Sequence, residues 1–148
     1  MNILRVLACL VLCLSLQLSA ATAKDLIGAY TVDGPATWEK MKAMPQIAAA
    51  PAAQQEAMKT NLLGMFAAMT CEITADKLIQ KTGDKTSTDA FKVLGVDGDL
   101  FHTETIDAKG KSEKSDIQLG KDGGLVVVSL DQPGMVMVLK KAAPAPAK

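Results

Sequence analysis

His102 and Glu104 are the residues of this sequence whose chemical types most directly suggest a reactive site. His102 is the only histidine in the chain, and Glu104 follows it two positions later in LFHTETID, residues 100–107. A histidine beside a carboxylate can bind a metal ion or act in acid–base catalysis. A zinc site needs three or four such ligands, and there is no second histidine. A hydrolase-type nucleophile is also missing, because the sequence contains no G-x-S-x-G motif.

The alternation of residues around His102 predicts which way its side chain points. In a β-strand over 99–107, Phe101, Thr103 and Thr105 lie on one face, whereas His102 and Glu104 lie on the other. We expect the Phe101 face to point inward, because burying a histidine and a glutamate together requires polar partners that the sequence does not announce. His102 and Glu104 then face solvent. The sequence thus predicts no catalytic residue, no metal site and no cofactor.

Residues 1–23 have the composition of a secretory signal peptide. Arg5 precedes an apolar run over 6–18, and Ala21-Thr22-Ala23 supplies the small residues for cleavage before Lys24. The apolar run is shorter than the ~20 residues of a membrane-spanning helix. We expect a secreted protein of the periplasm, without a transmembrane segment after cleavage. A lipoprotein anchored through Cys9 is the alternative.

Cysteine, arginine and charge content limit the chemistry of the mature chain. Cleavage removes Cys9 and Cys13, so that Cys71 is left alone, as a small buried apolar residue without a disulfide. The 16 basic and 16 acidic residues are interspersed, which argues against nucleic acid or an anionic membrane as partner. Arg5 is the only arginine, so lysine, hydroxyl or backbone donors would have to meet any anionic ligand group.

Two helices are predicted between the first strand and the rest of the chain. DLIGAYTVDG, residues 25–34, alternates as a strand that Asp33-Gly34 ends. PATWEKMKAMP, residues 35–45, has apolar residues at helical spacing between two prolines. After an Ala-rich link over 46–51, a longer amphipathic helix extends over 51–68.

From residue 70 onward the pattern predicts short antiparallel strands. Alternation replaces helical spacing, and turn sequences recur every eight to twelve residues. The predicted strands cover 70–74, 77–82, 88–96, 99–107, 113–119, 124–130 and 135–141. With the first strand they make a mainly β (α+β) fold, an up-and-down barrel of about eight strands with a helix pair between strands 1 and 2. The barrel domain spans 24–141 with a helical insertion over 35–68, and the Ala/Pro tail 142–148 is expected to be disordered.

Two short sequence patterns resemble the calycin group of β-barrels. Gly28-Ala29-Tyr30 is similar to the G-x-W motif of the first calycin strand, and AFKV followed by DGDLF resembles a strand-hairpin-strand pattern of bacterial lipocalin-like domains. The resemblance implies that a basic residue of the last strand, Lys140, packs across Tyr30. The fatty-acid-binding branch also resembles this chain, since two helices between its first two strands form a lid over the ligand cavity.

The methionine-rich helices predict where a ligand would bind. Their spacing first indicates core packing, but methionine is adaptable and common at surfaces that bind varied apolar partners. Thioether binding of Cu(I), by Met41 with Met44 or Met65 with Met69, is an alternative. Under a helical lid, these helices and inward strand residues would line an apolar cavity. The predicted ligand-binding residues are Trp38, Met41, Met58, Leu62, Met65, Phe66, Phe91, Val93 and Phe101.

These features predict a non-enzymatic binding protein for a small hydrophobic or amphipathic molecule. The alternative is a protein–protein interaction or structural module of the cell envelope, in which side chains fill the barrel and no ligand binds. Sequence alone does not separate a hollow barrel from a filled one.

Overall fold

The computed structural model of the chain describes residues 21–143, in which eight antiparallel strands form a closed barrel. The strands pair in sequence order, and β8 closes the barrel against β1. This confirms the predicted up-and-down barrel. Most of the predicted signal peptide and of the Ala/Pro tail lies outside the described residues. The strands are β1 Gly28–Val32, β2 Met69–Ile73, β3 Lys77–Thr82, β4 Lys85–Asp97, β5 Leu100–Ile106, β6 Ser112–Leu119, β7 Leu125–Ser129 and β8 Val136–Lys141.

Three helices connect β1 to β2, at the place predicted for the helical insertion. They are α1 Gly34–Met41, α2 Pro45–Ala48 and α3 Ala52–Ala67. The short helix α2 was missed by the sequence reasoning, which treated the Ala-rich segment as a link. Among the described residues, no helix is both long and apolar enough to cross a membrane.

The barrel has two different ends, which we call the closed end and the open end. The closed end is where β1 begins, and a 3-10 helix over Ala23–Leu26 precedes that strand. The sequence predicted a strand over this segment, so its first part is wrong: Leu26 belongs to the 3-10 helix. Leu26 is nevertheless 0% exposed, because its side chain packs into the barrel core. The phenol of Tyr30 donates a hydrogen bond to the Leu26 carbonyl over 2.9 Å, which fastens the helix to β1.

The barrel core fills the closed end and the part of the interior next to it. Phe101 and Leu125 are 0% and 1% exposed. The predicted inward orientation of the Phe101 face is confirmed, since Thr103 is also buried. The buried cluster consists of Leu26, Tyr30, Cys71, Ile73, Phe91, Phe101, Ile117, Leu125 and Leu139.

The open end carries the helices and the hairpin loops β3–β4, β5–β6 and β7–β8. Asp33 begins α1 by accepting a hydrogen bond from the Ala36 amide over 3.1 Å, and its second oxygen lies 2.8 Å from the Lys140 ammonium of β8. The Thr37 hydroxyl accepts a hydrogen bond from the Val138 amide over 2.9 Å. These contacts fix α1 against β8. Trp38, Ile47 and Phe66 are buried in the helical segment but do not belong to the barrel's buried cluster.

Candidate functional site: a cavity in the open half of the barrel

A cavity of about 160 Å³ lies inside the barrel and extends from its middle to the open end. The strands form its wall, and the β7–β8 loop contributes at the mouth. Leu26, Tyr30, Phe101 and Leu125 do not line it, because they fill the closed end. The lining residues are Met69, Cys71, Ile73, Leu78, Gln80, Phe91, Thr103, Thr105, Glu113, Ser115, Ile117, Val127, Ser129, Gln132, Met135, Met137 and Leu139.

The wall of this cavity has a polar side and an apolar side. Hydroxyl and carboxylate groups come from neighbouring strands β5, β6 and β7, where register pairs Thr105 with Glu113 and Ser115 with Ser129. Across the barrel, β2 contributes the apolar side chains Met69, Cys71 and Ile73, because β2 lies opposite β6 when the strands pair in sequence order. Next to β7, β8 adds Met137 and Leu139. Toward the closed end, the paired residues Ile117 and Val127 make the lining of β6 and β7 apolar as well. A bound molecule would therefore meet polar groups of β5, β6 and β7 near the mouth and apolar groups on β2 and deeper in the barrel.

The polar side retains hydrogen-bonding capacity. Thr103 donates to the Ser115 carbonyl over 2.8 Å, whereas the Ser115 hydroxyl makes no hydrogen bond to any described residue. The same holds, within residues 21–143, for the side-chain amide of Gln132 and for that of Gln80, which lies on β3 beside Cys71. These groups are not deeply buried, so they stay solvated until a ligand replaces water.

Glu113 contributes the carboxylate at the mouth of the cavity. Its Oε1 lies 2.6 Å from Lys111 Nζ in the β5–β6 hairpin. The bond to Glu113, with smaller effects of Asp107 and Asp131, raises the pKa of the Lys111 ammonium above its ordinary value. Lys111 itself does not line the cavity.

Cys71 lies on the apolar side and behaves as the sequence predicted. It is 8% exposed, and it is the cysteine of the described part of the chain. Burial raises the pKa of its thiol to about 11, and the nearby Glu72 carboxylate adds to this effect. The thiol is therefore protonated at neutral pH and acts as an apolar wall group rather than as a nucleophile.

The predicted ligand-binding residues lie in different parts of the molecule. Phe91 lines the cavity as predicted, Phe101 belongs to the closed end, and Val93 packs against the core beside them. The predicted helix residues do not line this cavity, because α1 packs against β8 and α3 packs against α1. Binding by these residues stays a prediction. The helix residues concerned are Trp38, Met41, Met58, Leu62, Met65 and Phe66.

Sequence reasoning missed most of the polar side. Alternation places Glu113, Ser115, Ile117 and Leu119 on one face of β6. The signal was therefore present in the sequence. What was missing was the knowledge of which face of β6 points inward.

His102 and Glu104 lie on the outer face of the barrel, as predicted. His102 Nδ1 is 2.7 Å from Asp116 Oδ1 on the paired strand β6, and the His102 side chain is 47% exposed. Glu104 accepts a hydrogen bond from Ser112 over 2.6 Å. Among the described residues, no group of three or more His, Cys, Asp or Glu side chains is placed to hold a metal ion.

The basic residue beside the Gly28-Ala29-Tyr30 motif is Lys141, so the prediction of Lys140 is wrong. Register pairs Tyr30 with Lys141, whereas Lys140 is paired with Thr31 and binds Asp33. A Cβ at Gly28 would lie 3.4 Å from Lys141 Cε and 3.7 Å from the Tyr30 ring. The lysine stem and the tyrosine ring therefore both lie close to Gly28, whose missing side chain leaves room for them.

No family model matches this chain, and no curated protein or solved structure matches it either. The part of the calycin resemblance that the structure supports is the closed, antiparallel, eight-stranded barrel.

Proposed function

We propose that this chain is a non-enzymatic, lipocalin-like binding protein that holds a small amphipathic molecule in the open half of its barrel. The observation that carries the proposal is the two-sided cavity, with Thr105, Glu113 and Ser115 facing an apolar wall that includes Met69 and Cys71. Ligand sites are concave and mostly apolar, with a few polar groups that fix orientation. The cavity fits that description better than any arrangement of acid, base and nucleophile on the described residues.

The size of the cavity limits the ligand. Its volume is about 160 Å³, and an apolar cavity of about 150 Å³ holds a molecule of the size of benzene. A six-carbon ring or a short alkyl chain therefore fits without movement. A longer molecule would extend into the mouth beside the β7–β8 loop, where Gly134 packs against Met44 of the helical segment.

The proposed location is the periplasm, as the signal-like sequence of residues 1–23 suggests. The lipoprotein alternative leaves the proposed binding site unchanged, since Cys9 lies far in sequence from the residues that line the cavity. In both cases the ligand would come from the cell envelope or from the medium.

A protein–protein interaction module remains the second candidate. Leu94 and Val96 are 54% and 43% exposed on β4, next to an irregularity in its pairing with β5. Exposed apolar residues of this size are typical of contact surfaces when they are contiguous. This candidate predicts that filling the cavity leaves function intact.

Titration with a solvent-sensitive hydrophobic fluorophore tests the proposal. We expect saturable binding to the protein and its loss in Ser115→Leu, which places a larger side chain in the cavity. Gln118→Leu makes a comparable change on the same strand but on the outer face, so binding should persist. Equal binding by both variants, or no saturable binding to a folded protein, would contradict the proposal.

A further inference from the structure

We propose that the bound molecule carries a positive charge, in the form of a primary or secondary ammonium group on a short apolar body. This inference rests on the proposed function and specifies its ligand class. Glu113 is the only charged residue among the described residues that line the cavity. An ammonium bound there would form a charge-assisted hydrogen bond with the carboxylate, which is stronger than a bond between neutral groups.

The geometry leaves Glu113 accessible to a ligand. Oε1 is held by Lys111, whereas Oε2 has no hydrogen-bond partner among residues 21–143. The side chains of Glu113 and Lys111 are 39% and 67% exposed, so their pair is accessible to solvent. Ion pairs of this kind contribute little to stability. An incoming ammonium can therefore bind Oε2 or take the place of Lys111, whose side chain is free to turn into water.

Charges of both signs surround the mouth. Lys111 interacts with three carboxylates, those of Glu113, Asp107 and Asp131, and Lys109 lies near Asp107. Lys114, whose backbone amide donates a hydrogen bond to Asp131, brings the number of lysines here to three as well. The hairpin region is therefore balanced in charge, and the preference for a cation depends on Glu113 inside the cavity.

The remaining polar groups suit an ammonium as well. A primary ammonium has three donors, and the hydroxyl and amide oxygens of Ser115, Gln80 and Gln132 can accept those that Glu113 leaves free. A carboxylate ligand has no equivalent partner. No arginine or lysine lines the cavity among the described residues.

Three probes with the same tail test this inference: hexylamine, 1-hexanol and hexanoate at neutral pH, measured by displacement of the fluorophore. We expect hexylamine to bind about tenfold more tightly than 1-hexanol, as one charge-assisted hydrogen bond implies. Hexanoate should bind most weakly. Added salt should weaken hexylamine binding but not 1-hexanol binding.

Two isosteric variants test whether Glu113 causes the preference for hexylamine over 1-hexanol. Glu113→Gln should remove the preference for hexylamine while 1-hexanol still binds. Glu104→Gln makes the same change on the outer face of β5 and should leave the preference unchanged. A preference that survives Glu113→Gln, or equal binding of hexylamine and 1-hexanol by the unaltered protein, overturns the inference and leaves the proposed function standing. Failure of all three probes and of the fluorophore to bind the folded protein would overturn the proposed function itself.

Discussion

The two ends of the barrel differ in how completely side chains fill the interior. At the closed end, the 3-10 helix over Ala23–Leu26 inserts Leu26 between the strands, and Phe101 and Leu125 fill the remaining space. At the open end, three helices and the β7–β8 loop are available, yet α1 packs along β8 and the barrel interior stays partly empty. A small 3-10 helix thus closes one end, whereas a helical segment of more than thirty residues leaves a cavity at the other.

This difference indicates how stability and function are divided along the strands. The closed end combines complete burial with satisfied hydrogen bonds, such as that of the Tyr30 phenol to Leu26. The open end exposes polar side chains inside the barrel, including Glu113 and Ser115, whose partial solvation contributes nothing to folding. Binding sites are commonly formed at such a cost to local stability.

Replacing Phe101 by alanine is expected to have the largest effect of the changes considered. Phe101 is 0% exposed, and removing a buried phenylalanine ring costs about 3–5 kcal/mol in the free energy of unfolding. We expect a value near the upper bound, because Phe101 is fully buried in the core and does not border the cavity. Urea denaturation followed by far-UV circular dichroism measures it.

Phe91→Ala is the matched comparison at the cavity. Phe91 is 5% exposed but borders space that already exists. We expect a loss near the lower bound of about 3 kcal/mol and a cavity that accepts larger ligands. Equal losses for the two variants would show that the two ends do not differ in how completely they are packed.

The fold was predictable from sequence because its signals are local and repeated. Alternation and turn residues gave β2, β3 and β5 to within two residues at each end, and the prolines at 35 and 51 marked α1 and α3. β4 begins at Lys85, earlier than predicted, because it pairs with β3 along its exposed polar residues, which no apolar pattern marks. The 3-10 helix was missed because its four residues fit a strand pattern equally well.

The site was much less predictable than the fold. Alternation shows that Glu113 and Ser115 share a face, but it does not show that this face points inward. Helical spacing shows that Met58, Leu62 and Met65 share a helix face, but not whether that face covers the cavity. Both questions depend on how distant elements pack, and a single sequence contains no direct signal for this.

Tyr30→Phe tests the attachment of the 3-10 helix at the closed end. The change removes the phenol that donates to the Leu26 carbonyl over 2.9 Å and leaves that buried carbonyl without this donor. We expect a loss of about 1.5 kcal/mol in the free energy of unfolding, from the same denaturation measurement. Ligand affinity should be unchanged, because Tyr30 does not line the cavity in the open half of the barrel. An affinity loss together with preserved stability would mean that the two ends are coupled.

Asp33→Ala tests the attachment of the helices at the open end. The variant loses the bond to the Ala36 amide and the ion pair with Lys140, and loss of such a helix cap costs about 1 kcal/mol. The single tryptophan, Trp38, lies on α1, so its fluorescence reports on the helices while circular dichroism reports mainly on the barrel. We expect the fluorescence transition of the variant to move to lower urea than the circular dichroism transition.

Acid titration separates the two roles of Asp33. The bond with Lys140, assisted by the bond from Ala36, lowers the pKa of the Asp33 carboxyl below its ordinary value of 3.8. The resulting stabilisation is present above that ordinary pKa and is lost as pH falls through the lower pKa of the folded protein. Asp33→Asn retains an oxygen for the helix cap but has no charge, so its stability should fall less between pH 5 and pH 2. Identical acid profiles would show that the ion pair with Lys140 contributes nothing.

His102→Ala should have the smallest effect, because it changes neither end of the barrel. The bond between His102 and Asp116 lies on the outer face, and surface substitutions of this kind usually change the free energy of unfolding by less than about 0.5 kcal/mol. Ligand affinity should be unchanged as well, since the side chain points outward, whereas Phe101 and Thr103 of the same strand point into the barrel. Asp116→Ala serves as the control, because it breaks the same bond from β6. If binding fell in both variants while circular dichroism stayed the same, the outer face would belong to the binding site, and a division of the molecule into a closed and an open end would be incomplete.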